Sequence, residues 1–321
     1  MTGYVLRRLF GLLPVLAVAA ALVWVLMFLL PGDPARLLAG GQGADPDVVR
    51  AIRAEWGLDE PPWRQFLGFA LRLLRFDLGT SYMQGRPVTA VVADHLIPTL
   101  VLALAATALA AAGGIALGSL AALRRGRVAD AAVLTLALVG ASAPVFWVGL
   151  LLIVVFASGL GWLPVVGYGL DGAVLPVLGI RLPEWDHLVL PAVTLALVSL
   201  GAVARVTRAS LLDVAGARHV ATARARGAGR VRVFVQHGLR NALVPVVTVI
   251  GLNLAALLGG AVATEFVFAW PGLGKALVRA IALRDIPVVE GCVLVLTAVY
   301  VLASLGVDLL YPILDPRLPA H

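Results

Sequence analysis

"HVATARARGAGRVRVFVQHGLRNALVP", residues 219–245, lies between two long apolar runs in a chain whose mean hydropathy is +0.98. Traced back to Arg205, the stretch carries Arg205, Arg208, Arg218, Arg224, Arg226, Arg230, Arg232 and Arg240 against one acid, Asp213. Guanidinium groups are costly in hydrocarbon, whereas arginine-rich loops collect on one side of a membrane. The block is therefore an aqueous loop, and the apolar runs on either side of it are membrane spans.

Composition agrees. The 321 residues are 61% hydrophobic and 13% charged, against about half and a quarter in a soluble domain. The net charge of +7 does not point to nucleic acid, because the basic residues interrupt apolar spans and no stacking aromatic pattern accompanies them. Cys292 is the only cysteine, so an intrachain disulfide is excluded; it lies in an apolar run and reads as packing.

A helix needs about 20 apolar residues to cross a bilayer. Charge-free intervals place six: Arg8–Asp33, Asp94–Arg124, the first part of Asp130–Asp171, Asp186–Arg205, Arg240–Glu265, and Glu290 onward to Leu314. The fourth is the shortest fit, and the third leaves room for a connection containing Gly159, Gly161, Pro164 and Gly167. With the N-terminus inside, Arg7, Arg8, Arg124, Arg125, Arg127, the central block and Arg317 share one side. The opposite short loops hold only Arg181, Lys275, Arg279 and Arg284. By the positive-inside rule both termini and the basic block are cytoplasmic. Arg7-Arg8 resembles the start of a signal peptide, but the apolar run after it is too long and ends in "LLPGDPA" without a small-x-small cleavage site.

In the long loop between the first two spans, "ADPDVVRAIRAEWG" predicts a short amphipathic helix. Asp45 caps it, Pro46 takes its first position, Gly57 ends it, and Val48, Ile52 and Trp56 share a face. After Pro61-Pro62, Trp63, Phe66, Leu67, Ala70 and Leu74 make a second such face. Either face suits the bilayer surface, the spans, or an extracytoplasmic partner.

No catalytic constellation emerges. His95, His187, His219, His237 and His321 are scattered, with no carboxylate or cysteine partner at metal-ligand spacing. "WPGLGKAL" lacks the first glycine and the final Ser/Thr of a phosphate-binding loop: Ala269 and Ala276 stand there. The interiors of spans one, two, three and five hold no Asp, Glu, Lys or Arg, so an ion relay has little to work with, and a gradient-driven carrier or channel is the alternative rather than the leading reading. Gly113, Gly114 and Gly118 offer a small-residue face for close helix approach, and Pro98, Pro144, Pro191 and Pro245 can kink or end spans.

Topology explains the sign of the basic block but not its pattern. Ala221, Thr222, Ala223 and Ala225 would let a short helix settle into a groove with arginines at its rim, and Gly227 permits a turn. Here the sequence resembles the cytoplasmic E-A-A-x-x-x-G loop of ABC importer permeases. Gly227 fits the glycine, and Ala221, Thr222 and Ala223 take the E-A-A places. The acid is absent, and the usual Leu-Pro reads Leu239-Arg240. Both departures are typical of the dipeptide/oligopeptide (peptide/nickel) branch. "YVLRRLFGLLPVL", "GLDEPPWRQF", "DLGTSYMQGRPV", "APVFWVGLLLIVVFASGLGWLP", "TEFVFAWPGLGKALVRAI", "RDIPVVEG" and "VDLLYPILDPRL" follow in order along nearly the whole chain. The likeness is to the first, B-type, permease subunit.

The resemblance implies an all-α integral membrane protein with six transmembrane helices in the type I importer permease fold. Residues 1–93 would form the first span and outer loop, 94–314 a five-helix core with a coupling loop at about 213–240, and 315–321 a short cytoplasmic tail. It implies a second homologous permease, two ATPase subunits that hold ATP and Mg, and an extracytoplasmic substrate-binding protein; this chain would carry no cofactor or metal. Ala221, Thr222, Ala223, Arg224, Ala225, Arg226 and Gly227 would couple to an ATPase, and Trp270, Pro271, Gly272 and Gly274 would belong to the outer vestibule. Di- and oligopeptides are the commonest cargo of such importers.

Overall fold

The computed structural model describes residues 2–29, 33–169, 174–175, 180–227, 229 and 238–314. In chain order its helices are α1 (Thr2–Leu29), α2 (Pro34–Leu38), α3 (Pro46–Glu55), α4 (Pro62–Leu74), α5 (Val88–Leu123), α6 (Val128–Ser142), α7 (Val145–Leu152), α8 (Trp185–Ala215), α9 (Arg218–Ala225), α10 (Arg240–Val267), α11 (Leu273–Leu283) and α12 (Ile286–Leu314). They fall into two compact units. One joins Thr2–Thr99 to Pro271–Val299, and the other joins Leu100–Trp270 to the chain from Tyr300 onward. Arg230, Arg232, His237, Asp171 and the tail with Arg317 lie outside the described residues.

In the first unit, local signals set the short helices. Asp33 caps α2 by accepting from the Ala35 amide at 3.0 Å, and Asp45 caps α3 by accepting from the Asp47 amide at 2.9 Å. Pro46 opens α3, and Gly57 ends its turn at φ +64°, a value only glycine holds without strain. The core gathers Val23, Val88, Val91, Leu273, Val288 and Cys292, so the lone cysteine is packing as expected. On α4 much of the apolar face predicted by spacing stays exposed, and a neighbouring side is buried. Phe69 packs with Ala20 and Leu294 beside Phe66 and Leu73, while Trp63, Leu67 and Leu74 are exposed. Both sides of α4 are apolar, and hydrophobic spacing alone could not say which of them turns inward.

The second unit is organised around α8. Gly113, Gly114 and Gly118 of α5 meet Leu200, Val203, Ala204 and Thr207 of α8, where an added Cβ would overlap side chains and the Ala204 carbonyl. On another side Gly140 of α6 faces Leu197, and Gly201 of α8 faces the Ala137 carbonyl. These are the close backbone approaches that small residues permit between membrane helices. Thr194 and Thr207 return their buried hydroxyls to the carbonyls of Leu190 and Val203, both at 2.8 Å. Against α10, Leu102, Leu195, Leu257 and Trp270 form a further core.

Among the described residues four helical stretches are long and apolar enough to cross a membrane: α5, α8, the Ala242–Gly259 part of α10 and the Ile286–Val307 part of α12. The expected third span is not one straight helix. Val128–Ser142 and Val145–Gly159 meet at 107°, and the pair supplies a fifth crossing if counted as one. Ala143 there is extended at ψ 136°, as a residue before proline prefers, and Pro144 begins the next helix; Ile153–Gly159 then widens into a π turn. The fourth span was under-read, because α8 runs on through Arg205 and Arg208 to Ala215. The chain is all-helical in class, and Val174–Leu175 and Ile180–Arg181 add only a minimal antiparallel ladder between helices.

Candidate functional site

The basic stretch begins inside α8. Arg205 is exposed, but Arg208 turns inward and grips Asp130 of α6 through two bonds, Nε to Oδ1 at 2.6 Å and an Nη2 to Oδ2 bond at 2.8 Å. The second oxygen also accepts from the Gly126 amide at 3.0 Å. One carboxylate thus ties the Arg124–Arg127 loop and α6 to α8. In the sequence Asp130 marks a span boundary and Arg208 counts only among the block of arginines; an acid isolated just after a basic loop is the available clue.

Beyond Gly216 the chain turns into α9, an eight-residue helix. A helix that short is not stable alone, and its anchor is Val220, which is 1% exposed. Ala221, Thr222 and Ala225 point away from that anchor and are exposed, and Arg226 and Gly227 continue the exposed surface. Ala223 and Arg224 belong to the same helix by backbone. Gly227 has φ +80°. The expected turn is there, and among the described residues nothing lies within 4 Å of where a Cβ would stand.

The "WPGLG" segment is well buried. Trp270 is fully enclosed and sets its ring edge against Tyr168, centroids 4.7 Å apart. Burial pushes the Tyr168 phenol above its usual range. In the other unit Pro271 is half-buried, while Gly272 and Gly274 are buried around the start of α11, where Leu273 donates its amide to Thr99 Oγ1 at 2.8 Å.

Two clusters were not foreseen. Buried Asp285, just before α12, accepts from the Ser81 hydroxyl and from the amides of Tyr82 at 3.0 Å and Met83 at 3.4 Å. It thereby joins "DLGTSYM" to "RDIPVVEG", segments too far apart in sequence for any pattern to link. His187, read as isolated, stands with Glu184 and Asp186, their ligand atoms all within 4.8 Å of one another. The three flank the first turn of α8, where the helix dipole favours the acids and opposes a cation.

Long apolar helices and glycine-mediated crossings define a multi-pass membrane bundle, with a short, partly exposed helix following the arginine-bearing end of α8. The chain belongs to the family described as the binding-protein-dependent transport system inner membrane component, which matches residues 114–319; its N-terminal counterpart matches residues 1–103. It is an ABC importer permease of the peptide/nickel family, a multi-pass protein of the bacterial inner membrane. Among its relatives are the glutathione transport system permease proteins GsiC of Salmonella choleraesuis (strain SC-B67), 42% identical, and of Escherichia coli (strain K12), 40% identical, each over 99% of both chains.

Proposed function

We propose that this permease forms half of a translocation path for small peptides, that α9 is its coupling helix, and that ATP is hydrolysed on separate subunits. The observation that carries the reading is the two-sidedness of α9: Val220 is buried, whereas Ala221, Thr222 and Ala225 are exposed beside Arg226 and Gly227. An exposed face of small residues allows close backbone approach, which suits insertion into a cleft on another protein. On this reading two ATPases with ATP and Mg lie on the cytoplasmic side, a second permease completes the path, and a substrate-binding protein docks outside. α1 completes a set of six spans with both termini cytoplasmic; its 28 residues extend about 42 Å, more than the hydrocarbon thickness. Trp270 and the turn through Pro271, Gly272 and Gly274 brace the outer vestibule.

Peptide-class cargo is supported by the glutathione in the relatives' names, glutathione itself being a short peptide. Affinity purification of this chain from its native membrane, followed by ATP-dependent uptake into proteoliposomes, tests the proposal. ATPase subunits should co-purify, and uptake of labelled dipeptide or glutathione should require both ATP and the binding protein. Gradient-driven uptake by the chain alone would overturn it.

A further inference from the structure

Glu290 lies within the first turns of α12, only 4% exposed. Among the described residues no hydrogen bond or ion pair reaches its carboxylate, although the Arg72 guanidinium acts on it electrostatically from further off. A buried carboxylate without a partner is costly and creates a demand for N–H donors. In front of it opens a cavity of about 370 Å³ in the same unit, walled by Trp24, Trp56 and Tyr82, with Arg72 on its lining. Trp56 stands edge-on to Tyr82, centroids 4.5 Å apart, and Trp24 stacks on Phe28 at 5.5 Å. Burial, and then the charge of Glu290, push the Tyr82 phenol up to about 12 against the pull of Arg72, so this wall stays neutral.

We propose that this cavity binds a primary ammonium group, which donates to Glu290 and lies against the aromatic wall, while Arg72 holds an anionic group of the same molecule. A carboxylate and aromatic rings on one cavity lining favour a cation over a neutral guest. The need for N–H donors at Glu290 separates a primary ammonium from a quaternary one, which has none. Two sources carry this chemistry: a phosphoethanolamine lipid headgroup and a zwitterionic solute such as a dipeptide. Phe28 lines the cavity and is 56% exposed, offering apolar surface on which acyl chains could lie. The site is independent of α9, and its test does not involve ATP.

The full chain in phosphatidylglycerol nanodiscs, free of competing ethanolamine headgroups, is titrated by calorimetry. The probes are glycerophosphoethanolamine and dialanine, each against its blocked counterpart, glycerophosphocholine and N-acetyl-dialanine. At least one primary-ammonium probe should bind about 30-fold tighter than its blocked form, the scale of a buried charge pair losing one partner. Glu290→Gln should abolish that preference. Binding by glycerophosphoethanolamine alone identifies the lipid source, and binding by dialanine alone the solute source. No binding by either, or equal binding of the blocked forms, overturns the proposal, as does a preference that survives in Glu290→Gln. Arg72→Ala, on the exposed side of α4, should weaken the same probe about tenfold yet keep the ammonium preference; if Glu290→Gln does not fold, unchanged affinity in this variant overturns the site.

Discussion

Asp33 shows how one carboxylate holds the start of the outer segment together. Burial alone would raise it, but the hydrogen bond and charge of Arg53, at 2.8 Å, together with the amides of Ala35 and Arg36, hold it below its ordinary value. A group whose folded value is depressed stabilises fully above its unfolded pKa, and that contribution is lost as pH falls through the folded one. Exchange protection around α2 and α3, corrected for intrinsic rates, should therefore fall below about pH 4 in the wild type. Asp33→Asn should show weaker protection at neutral pH and little further change on acidification. Gly227 makes a second residue-scale case. At φ +80° an alanine would cost about 1–2 kcal/mol, and proline cannot adopt the angle at all. Gly227→Ala should lower ATP-driven uptake and Gly227→Pro abolish it, while both chains still reach the membrane, as fractionation and uptake assays would show. For the Asp130–Arg208 clasp, either Asp130→Asn or Arg208→Leu should lower the thermal midpoint, because each leaves a polar or charged group without its partner. The double variant should recover part of the loss.

Elements differ in how far the sequence revealed them, and the reason lies in the range of the interactions that place them. α3 was legible to within a residue because Asp45, Pro46 and Gly57 act on their own neighbours. The glycine face of α5 was legible as a place of close approach, though only the structure supplies α8 as its partner. α8 was cut short at Arg205, because a charge-free interval cannot anticipate that Arg208 finds Asp130 from another helix. The bend before α7 had its signal in Pro144, but its 107° depends on packing. Asp285 with Ser81, and Glu290 behind Tyr82, had no sequence signal beyond acids beside an apolar run, since their surroundings come from segments near opposite ends of the chain. The α5–α8 crossing makes its own prediction. Gly118→Leu drives a side chain into the Ala204 carbonyl and Thr207 and should destabilise the bundle by about 2 kcal/mol or more, read as a lowered midpoint in detergent. Gly259→Leu, with nothing among the described residues within 4 Å of its Cβ position, should change that midpoint little.

At the scale of the whole molecule a permease of this family must pass the ATPase cycle to its translocation path, and on the proposed reading α9 does so. Ala221 is the position to challenge, being exposed and turned about 100° from buried Val220, so that a large side chain there points away from this chain's own core. The most direct measurement is ATP hydrolysis and peptide uptake in parallel, with the reconstituted complex carrying either the wild-type chain or Ala221→Trp. The account predicts a variant that inserts normally and melts as the wild type does, but whose uptake falls about tenfold or more, with hydrolysis no longer responding to the loaded binding protein; an indole in place of a methyl at a packed contact costs at least about 1.4 kcal/mol. Wild-type uptake with normally stimulated hydrolysis in Ala221→Trp would contradict it.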